Sequence, residues 1–498
     1  MAQRTFAIVT ALVVAGLVIG PVTAVLWHGG GITTLSAADL SALQFTIWQS
    51  FWSSLISVTL AIPVARALAR RSFWGRSTLV SIMGAPFILP VIVAILGLLA
   101  VFGGNGFINI FLEPLGVPRL DIYGAHGVIL AHVFFNLPLA VRLILQGWQS
   151  IPSERFRVAA SLNAPVFTLL EWPMLRRIVP GAFAVIFVIC IGSFAVALTL
   201  GGGPKATTIE LAIYQAFKFD FDLSKAASLA VVQLCLGVGV GLVALLLARG
   251  DMLGVGFDRV VQRWDGSLIL DASWIGLATF FLLAPLVAIF VAGLSGLADL
   301  PVSIWSAALR SLLISLGAVI LTMLLALPLV TKAGEVASLL GLSVSGLILG
   351  TGMFLIIQPY VRPSSVALPV TMLVNVLMAL PFVLRILRPS VEAARNDFGR
   401  LGQSLGLQKW PLWRIVYLPR LRRPMGFAAG LTGALAMGDL GVITLFSRPG
   451  EGTLPMAMYQ LMGAYKMDAA YGAALLLVGL SLGLFWAFDK GGRAHAVL

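Results

Sequence analysis

Charge is what this chain most lacks. Asp, Glu, Lys and Arg make up 11% of its 498 residues, while 59% are hydrophobic, and the mean hydropathy is +1.00. A water-soluble domain of this length does not carry so little charge, so the composition excludes a soluble enzyme or binding module and defines a polytopic membrane protein. Cysteine is nearly missing too. Cys190 and Cys235 both fall inside apolar runs. They read as small packing residues, which excludes a disulfide framework and a thiolate metal centre. His126 and His132 lie six apart on one apolar run, whereas helical metal ligands stand three or four apart. They read as packing or helix-end groups, and no metal site is expected. No nucleophile–base arrangement stands out, which argues against a membrane enzyme. The chain also lacks G-x-x-x-x-G-K-[ST]; the stretch Gly201-Gly202-Gly203-Pro204-Lys205 is not such a loop.

What remains is long apolar runs. A helix needs about 20 apolar residues to cross a bilayer. Runs of that kind start near residues 6, 42, 78, 124, 180, 226, 272, 307, 337, 364, 424 and 470, which predicts an all-α protein of about twelve membrane helices. The first run is too long for a signal-peptide core and no A-x-A-like site follows it, so it reads as a retained helix. Threading the twelve from an inside N-terminus places Arg119, Lys205, Lys218, Lys225, Arg310, Arg362, Arg448 and Lys466 on one side and the other 25 of the 33 Lys and Arg on the opposite side. This positive-inside bias puts both termini in the cytoplasm of a multi-pass cell-membrane protein. It also accounts for the net charge of +13 without nucleic acid.

The chain repeats itself. Leu60-Ala61-Ile62-Pro63 matches Leu325-Ala326-Leu327-Pro328, Leu137-Pro138 and Arg142 match Leu380-Pro381 and Arg385, and Gly192-Ser193 matches Gly438-Asp439. Thr208, Tyr214 and Gln215 match Thr453, Tyr459 and Gln460. The expected units are 1–248 and 272–498, with cores near 42–248 and 307–488 and a cytoplasmic linker at 249–271. Two six-span units keep one orientation, so they should be related by a pseudo-two-fold along the membrane normal, with a shared pathway between them. Pro63, Pro86, Pro90, Pro138, Pro328 and Pro381 read as kinks that a bundle interior re-satisfies, or as hinges.

One polar loop occurs in both units: SLNAPVFTLLEWPMLRR, from Ser161, and SLGLQKWPLWRIVYLPRLRR, from Ser404. It resembles the cytoplasmic "EAA" loop of ATP-binding-cassette (ABC) importer permeases, whose short coupling helix docks in a cleft of the ATPase. The resemblance places Ala159, Ser161, Leu162, Asn163 and Pro173 in the first copy, and Ser404, Leu405, Gly406, Trp410, Trp413 and Pro419 in the second, at that contact. There are departures. Arg157 and Arg400 stand where the family has Glu, and Glu392-Ala393-Ala394 is out of register. Asn163 stands where the family has Gly, Asn being the residue that best replaces Gly at a left-handed turn. The first copy is also three residues shorter between its Ser and its Pro.

Over nearly the whole chain the resemblance is closest to the fused, two-unit permeases of bacterial thiamine and thiamine pyrophosphate import. It is carried by Glu171-Trp172-Pro173, Ser193-Phe194-Ala195, the run Leu200 to Gln215, Gly438 to Val442, and Thr453-Leu454-Pro455. It implies no cofactor on this chain, ATP and Mg in two partner ATPase subunits, a periplasmic substrate-binding protein and a thiamine-type substrate. Fused ferric-iron permeases share the architecture, and an ion-driven secondary transporter is the rival outside the class. Asp439 and its match Ser193 are the candidate pathway residues, since a carboxylate in a span should face protein or water and suits a cationic substrate. Gly201–Gly203 with Lys205 could form an anion nest, and reads more simply as an outer loop or gate. Glu210 reads as a contact for the binding protein.

Overall fold

The computed structural model describes residues 2–28, 35–83, 88–203, 206–247, 266–330, 344–405, 410–448 and 450–493, and no strand occurs among them. The first half contains helices α1 (Ala2–His28), α2 (Ala37–Arg70), α3 (Arg76–Ile82), α4 (Val91–Phe102), α5 (Phe107–Leu112), α6 (Ala125–Ser150), α7 (Ser153–Ser161), α8 (Trp172–Ile191), α9 (Phe194–Leu200), α10 (Ile209–Lys218) and α11 (Leu223–Leu247). The second contains α12 (Leu268–Gly296), α13 (Val302–Leu329), α14 (Gly346–Ile357), α15 (Ala367–Ser404), α16 (Leu418–Met437), α17 (Gly441–Phe446), α18 (Leu454–Gly463) and α19 (Met467–Arg493).

Eleven helical segments among the described residues are long and apolar enough to cross a membrane. At the ninth of the twelve expected positions stands α14, with 12 residues. The third span also starts later than the apolar run suggests. Residues 76–82 form the separate helix α3, and the crossing segment begins at Val91. Pro90 has no N–H to carry a helix through and sits instead as the residue capping α4. Pro63, Pro138, Pro328 and Pro381 lie inside α2, α6, α13 and α15. The described end of the linker joins α12, whose helix already runs from Leu268.

The halves repeat each other's packing. In the first, α2 packs on α6 and α8, and α8 on α11; in the second, α13 packs on α15 and α16, and α16 on α19. One side-chain bond recurs as well. Thr46 Oγ1 accepts from Ile209 N at 2.9 Å, and Ser311 Oγ accepts from Leu454 N at 2.8 Å. The first helix of each half crosses to the other: α1 packs on α14, and α12 on α4. A glycine permits each crossing. A Cβ on Gly352 would come 2.2 Å from Pro21 O, and one on Gly97 would come 2.7 Å from Pro285 O. Without lipid-driven sorting of apolar faces, close backbone approach at small residues holds membrane helices together.

One end of the bundle is arginine-rich. There Asp271, in the first turn of α12, accepts from Arg71 Nε at 2.7 Å and pairs with Arg70 Nη2 at 3.6 Å. Arg71 Nη2 also donates to Gly266 O at 2.8 Å. The second half is thus tied to the end of α2 where it begins. At the opposite end Lys218 Nζ donates to Ser447 O at 3.4 Å, again joining the halves.

Candidate functional site

Both copies of the repeated loop lie at the arginine-rich end, and they are built differently. In the first, Ile151 adopts an extended conformation ahead of Pro152, as the residue before a proline prefers. That ends α6 and starts α7 as a separate helix. Phe156 and Ala159 face the core, while Arg157, Val158 and Leu162 face out, Leu162 being 72% exposed. Asn163 has φ +49°. Asn163 N donates to Ala160 O at 3.2 Å and Ala164 N to Ala159 O at 2.8 Å. These two bonds close a Schellman cap with Asn163 at its left-handed position, so the residue fills the backbone role expected of it.

After the cap the chain re-enters the bundle through a π-helical turn, Phe167–Glu171, closed by Trp172 N donating to Phe167 O. The second copy has the same turn at Trp413–Tyr417, closed by Leu418 N on Trp413 O. A proline follows each, Pro173 and Pro419. A proline ring crowds the carbonyl four residues back and cannot bond to it, which favours the wider i→i+5 register just upstream. The extra residue turns Glu171 inward. Its side chain is fully buried, takes Arg66 Nε on Oε1 at 2.9 Å and Arg66 Nη2 on Oε2 at 2.7 Å, and accepts from Trp148 Nε1 at 3.2 Å. Arg66 also lies 5.9 Å from the Phe167 ring. A two-pronged arginine–carboxylate pair therefore pins the loop to α2 and α6.

The second copy has no such lock. Tyr417 stands where Glu171 does, and α15 runs unbroken for 38 residues from the bundle to Ser404. At about 1.5 Å per residue that is roughly 57 Å, well beyond a bilayer core. Leu405, 65% exposed, forms the turn after it. Arg420 stacks over the Phe398 ring at 3.6 Å and bonds back to Val416 O. Leu412 packs over Gly402, where a Cβ would stand 2.3 Å from it. Trp410 opens a short helical turn and Trp413 starts the π turn; Gly406 lies outside the described residues. The string Glu392-Ala393-Ala394 sits within α15, with Glu392 paired to Arg388.

The matched pairs Gly192-Ser193 and Gly438-Asp439 are the breaks that follow α8 and α16. The residues just after them approach each other. A Cβ on Gly441 would lie 3.7 Å from Asp439 Oδ1 and 3.8 Å from Phe194 Cδ1, and one on Gly438 would lie 3.0 Å from Pro90. Asp439 Oδ1 accepts from Gly441 N at 3.1 Å. The structure thus brings Asp439 beside the Ser193 break, between the halves.

Three features correct or extend the reading of the residues. Glu210 is buried, not a surface contact. It accepts from Gln233 Nε2 at 3.1 Å, and burial pushes its carboxyl up to about 7. Cys190 is buried and accepts from Asn136 Nδ2, while Cys235 is exposed; His132 is buried beside Ser53, and His126 bonds to Asp121 O. The third feature is a polar stripe on α2: Thr46, Gln49, Ser50, Ser53, Ser54 and Ser57 are all fully buried. Their three-and-four spacing was there to be read within an apolar run. The matching face of α13 carries Ser311, Ile314, Ser315, Ala318, Val319 and Thr322, so the first half buries more polar groups than the second.

The fold is that of an all-α, multi-pass membrane protein of two like halves, with a basic loop repeated at one end. No family model matches the chain. The thiamine transport system permease protein ThiP of Brucella abortus is 36% identical over 495 residues, covering 94% of this chain and 91% of that protein. The ThiP of Escherichia coli K12 is 38% identical over 476 residues, covering 90% and 88%. The molybdenum transport system permease protein ModB of Haemophilus influenzae is 28% identical and aligns over 92% of its own length but 42% of this chain, a share of about one repeat. The chain belongs to the family of thiamine transport system permeases.

Proposed function

We propose that this chain is the complete membrane-spanning part of an ATP-driven importer that carries thiamine into the cytoplasm. The observation that carries this reading is similarity over more than nine-tenths of the chain to proteins named for thiamine transport. The loops add a second line of support. Their apolar side chains Val158, Leu162, Leu401 and Leu405 are exposed at a basic end of the bundle, where a soluble partner can cover them. With no nucleotide-binding loop in the sequence, ATP and Mg belong to two separate ABC ATPase subunits, which drive α7 and the end of α15 as coupling elements. A periplasmic binding protein delivers substrate at the opposite face. The chain then sits in the bacterial inner membrane with both termini cytoplasmic, a reading the positive-inside bias supports for the termini.

In this reading the paired breaks form the passage, and Asp439 offers a carboxylate to the cationic substrate. The test is uptake of radiolabelled thiamine into proteoliposomes holding this chain, its ATPase subunits and the loaded binding protein. Uptake that needs internal ATP, and that Asp439→Asn cuts severely at normal membrane abundance, fits the proposal. Uptake driven by a proton or sodium gradient without ATP would overturn it; unchanged uptake in Asp439→Asn would remove that residue from the passage.

A further inference from the structure

At the end of the bundle opposite the arginine-rich loops lies a cavity of about 340 Å³. Tyr214 of α10 and its match Tyr459 of α18 both line it, so each half contributes a ring. Tyr123, Phe219, Gln215 and the backbone of Gly202 complete the wall. Gly202, at φ +64°, approaches so closely that a Cβ would meet Tyr123 Cβ at 3.1 Å; the wall needs glycine there. Three of the chain's seven tyrosines thus line one cavity.

No lysine or arginine is among the described residues that line the cavity. Asp121 sits beside it, its Oδ1 accepting from Tyr123 N at 3.0 Å, and Lys218 stands next to the lining Phe219. Ring faces are electron-rich and attract cations, and they stack flat heterocycles. The volume is at the small end of ligand pockets, enough for a molecule of two rings. Side-chain contacts connect its wall to the neighbourhood of Asp439. The Tyr214 ring meets Phe194 edge-on at 5.3 Å, and Phe194 is the residue that faces Gly441 next to Asp439.

We propose that this aromatic cavity is a holding site for a flat heteroaromatic cation on its way to the passage at Asp439. The inference rests on the thiamine reading above and goes beyond it by assigning the residues that receive the substrate. The tyrosine rings stack on the heterocycle and stabilise its positive charge, while the Gln215 amide is placed to meet a ring nitrogen or exocyclic amine.

The test uses the whole importer in proteoliposomes with radiolabelled thiamine, varying the concentration of loaded binding protein. Tyr123→Leu and Tyr459→Leu keep apolar volume but lose the ring; Tyr123→Phe and Tyr459→Phe keep the ring. Co-purification of the ATPase subunits checks that each variant assembles. The leucine variants should lower the maximal uptake rate roughly tenfold, the loss expected for one desolvated ring–cation contact. The phenylalanine variants should restore most of it, and the half-saturating concentration of binding protein should not change. Wild-type uptake with both leucine variants at the wild-type rate would overturn the holding site and leave the thiamine reading standing. So would leucine variants that raise the half-saturating concentration of binding protein at an unchanged maximal rate, since the tyrosines would then be a docking contact. A wild-type importer that takes up no thiamine would overturn the underlying reading and the site with it.

Discussion

In the first half Pro152 stops α6 and a separate short helix, α7, carries the loop; in the second, Arg395 holds the matching position and α15 continues to Ser404. The first loop is then pinned from behind by the buried Glu171 carboxylate on Arg66 and Trp148, whereas the second rests on an exposed arginine stacked over Phe398. Both halves reach the same π turn before the same proline. The duplicated fold therefore repeats the turn by which each loop re-enters the bundle, and the contacts behind that turn differ between the halves. The first loop is a short lever hinged at a proline and locked by charge. The second is the exposed end of a long helix.

That contrast can be broken at its strongest point first. Glu171→Ala leaves the Arg66 guanidinium without its partner. Breaking a buried pair costs about 3–5 kcal/mol, and because Arg66 is 32% exposed the expected loss is toward the lower figure. Tyr417→Ala at the matching place in the second half should cost clearly less, so thermal unfolding of the two variants in detergent should separate them. Equal losses would mean that the ion pair does not distinguish the loops.

A second asymmetry is titratable. Glu210 is a buried acid in the first half, and its match Pro455 is not ionisable. Its carboxyl is raised in the folded state from 4.5 to about 7. Burial therefore penalises the charged form. The penalty is absent below the unfolded value, grows as pH rises, and is complete above about 7. Glu210→Gln keeps an acceptor for Gln233 and removes the charge. It should stabilise the fold at pH 8 by on the order of 2 kcal/mol, read as a higher unfolding temperature, and give no gain at pH 4. A gain independent of pH would contradict this.

Smaller effects sharpen the comparison of the loops themselves. Asn163→Val puts a β-branched residue at a left-handed position and should cost about 1–2 kcal/mol, while Asn163→Gly should be near neutral. If the long second helix carries more of the drive, Gly406→Val should uncouple ATP hydrolysis from uptake more than Asn163→Val does; equal uncoupling would make the loops equivalent motors. Arg420→Ala should cost only about 0.5–1 kcal/mol, the worth of an exposed ring–cation contact, with little change in unfolding temperature.

Much of this architecture was written in the chain. The apolar runs and the repeated Leu-Pro and Gly-Ser/Gly-Asp steps disclosed a duplicated helical bundle, because bilayer thickness and helix-breaking residues act locally; of the twelve spans expected, eleven described segments are long enough to cross, and α14 is shorter. The left-handed turn at Asn163 was legible for the same reason. The crossing of α1 and α12 into the opposite halves was not. Helices apolar on all sides show no face, and the glycines that admit them, Gly97 and Gly352, look like any others in a glycine-rich chain. The Arg66–Glu171 pair joins residues 105 apart, which no local pattern reveals. Glu210 looked like a surface acid because only its burial against α11 shows otherwise. The serine stripe of α2 was visible in spacing, but its meaning depends on the α6 and α8 faces that cover it.

In the proposed importer both loops, unequal in build, take up the motion of separate ATPases. Site-directed cross-linking tests it most directly. Cysteines at Leu162 and Leu405, in a chain whose exposed Cys235 is replaced by Ser, should each cross-link to an ATPase subunit in native membranes, in a manner that changes when ATP is added. Failure of both positions to cross-link, in membranes where the importer takes up thiamine, would contradict the account.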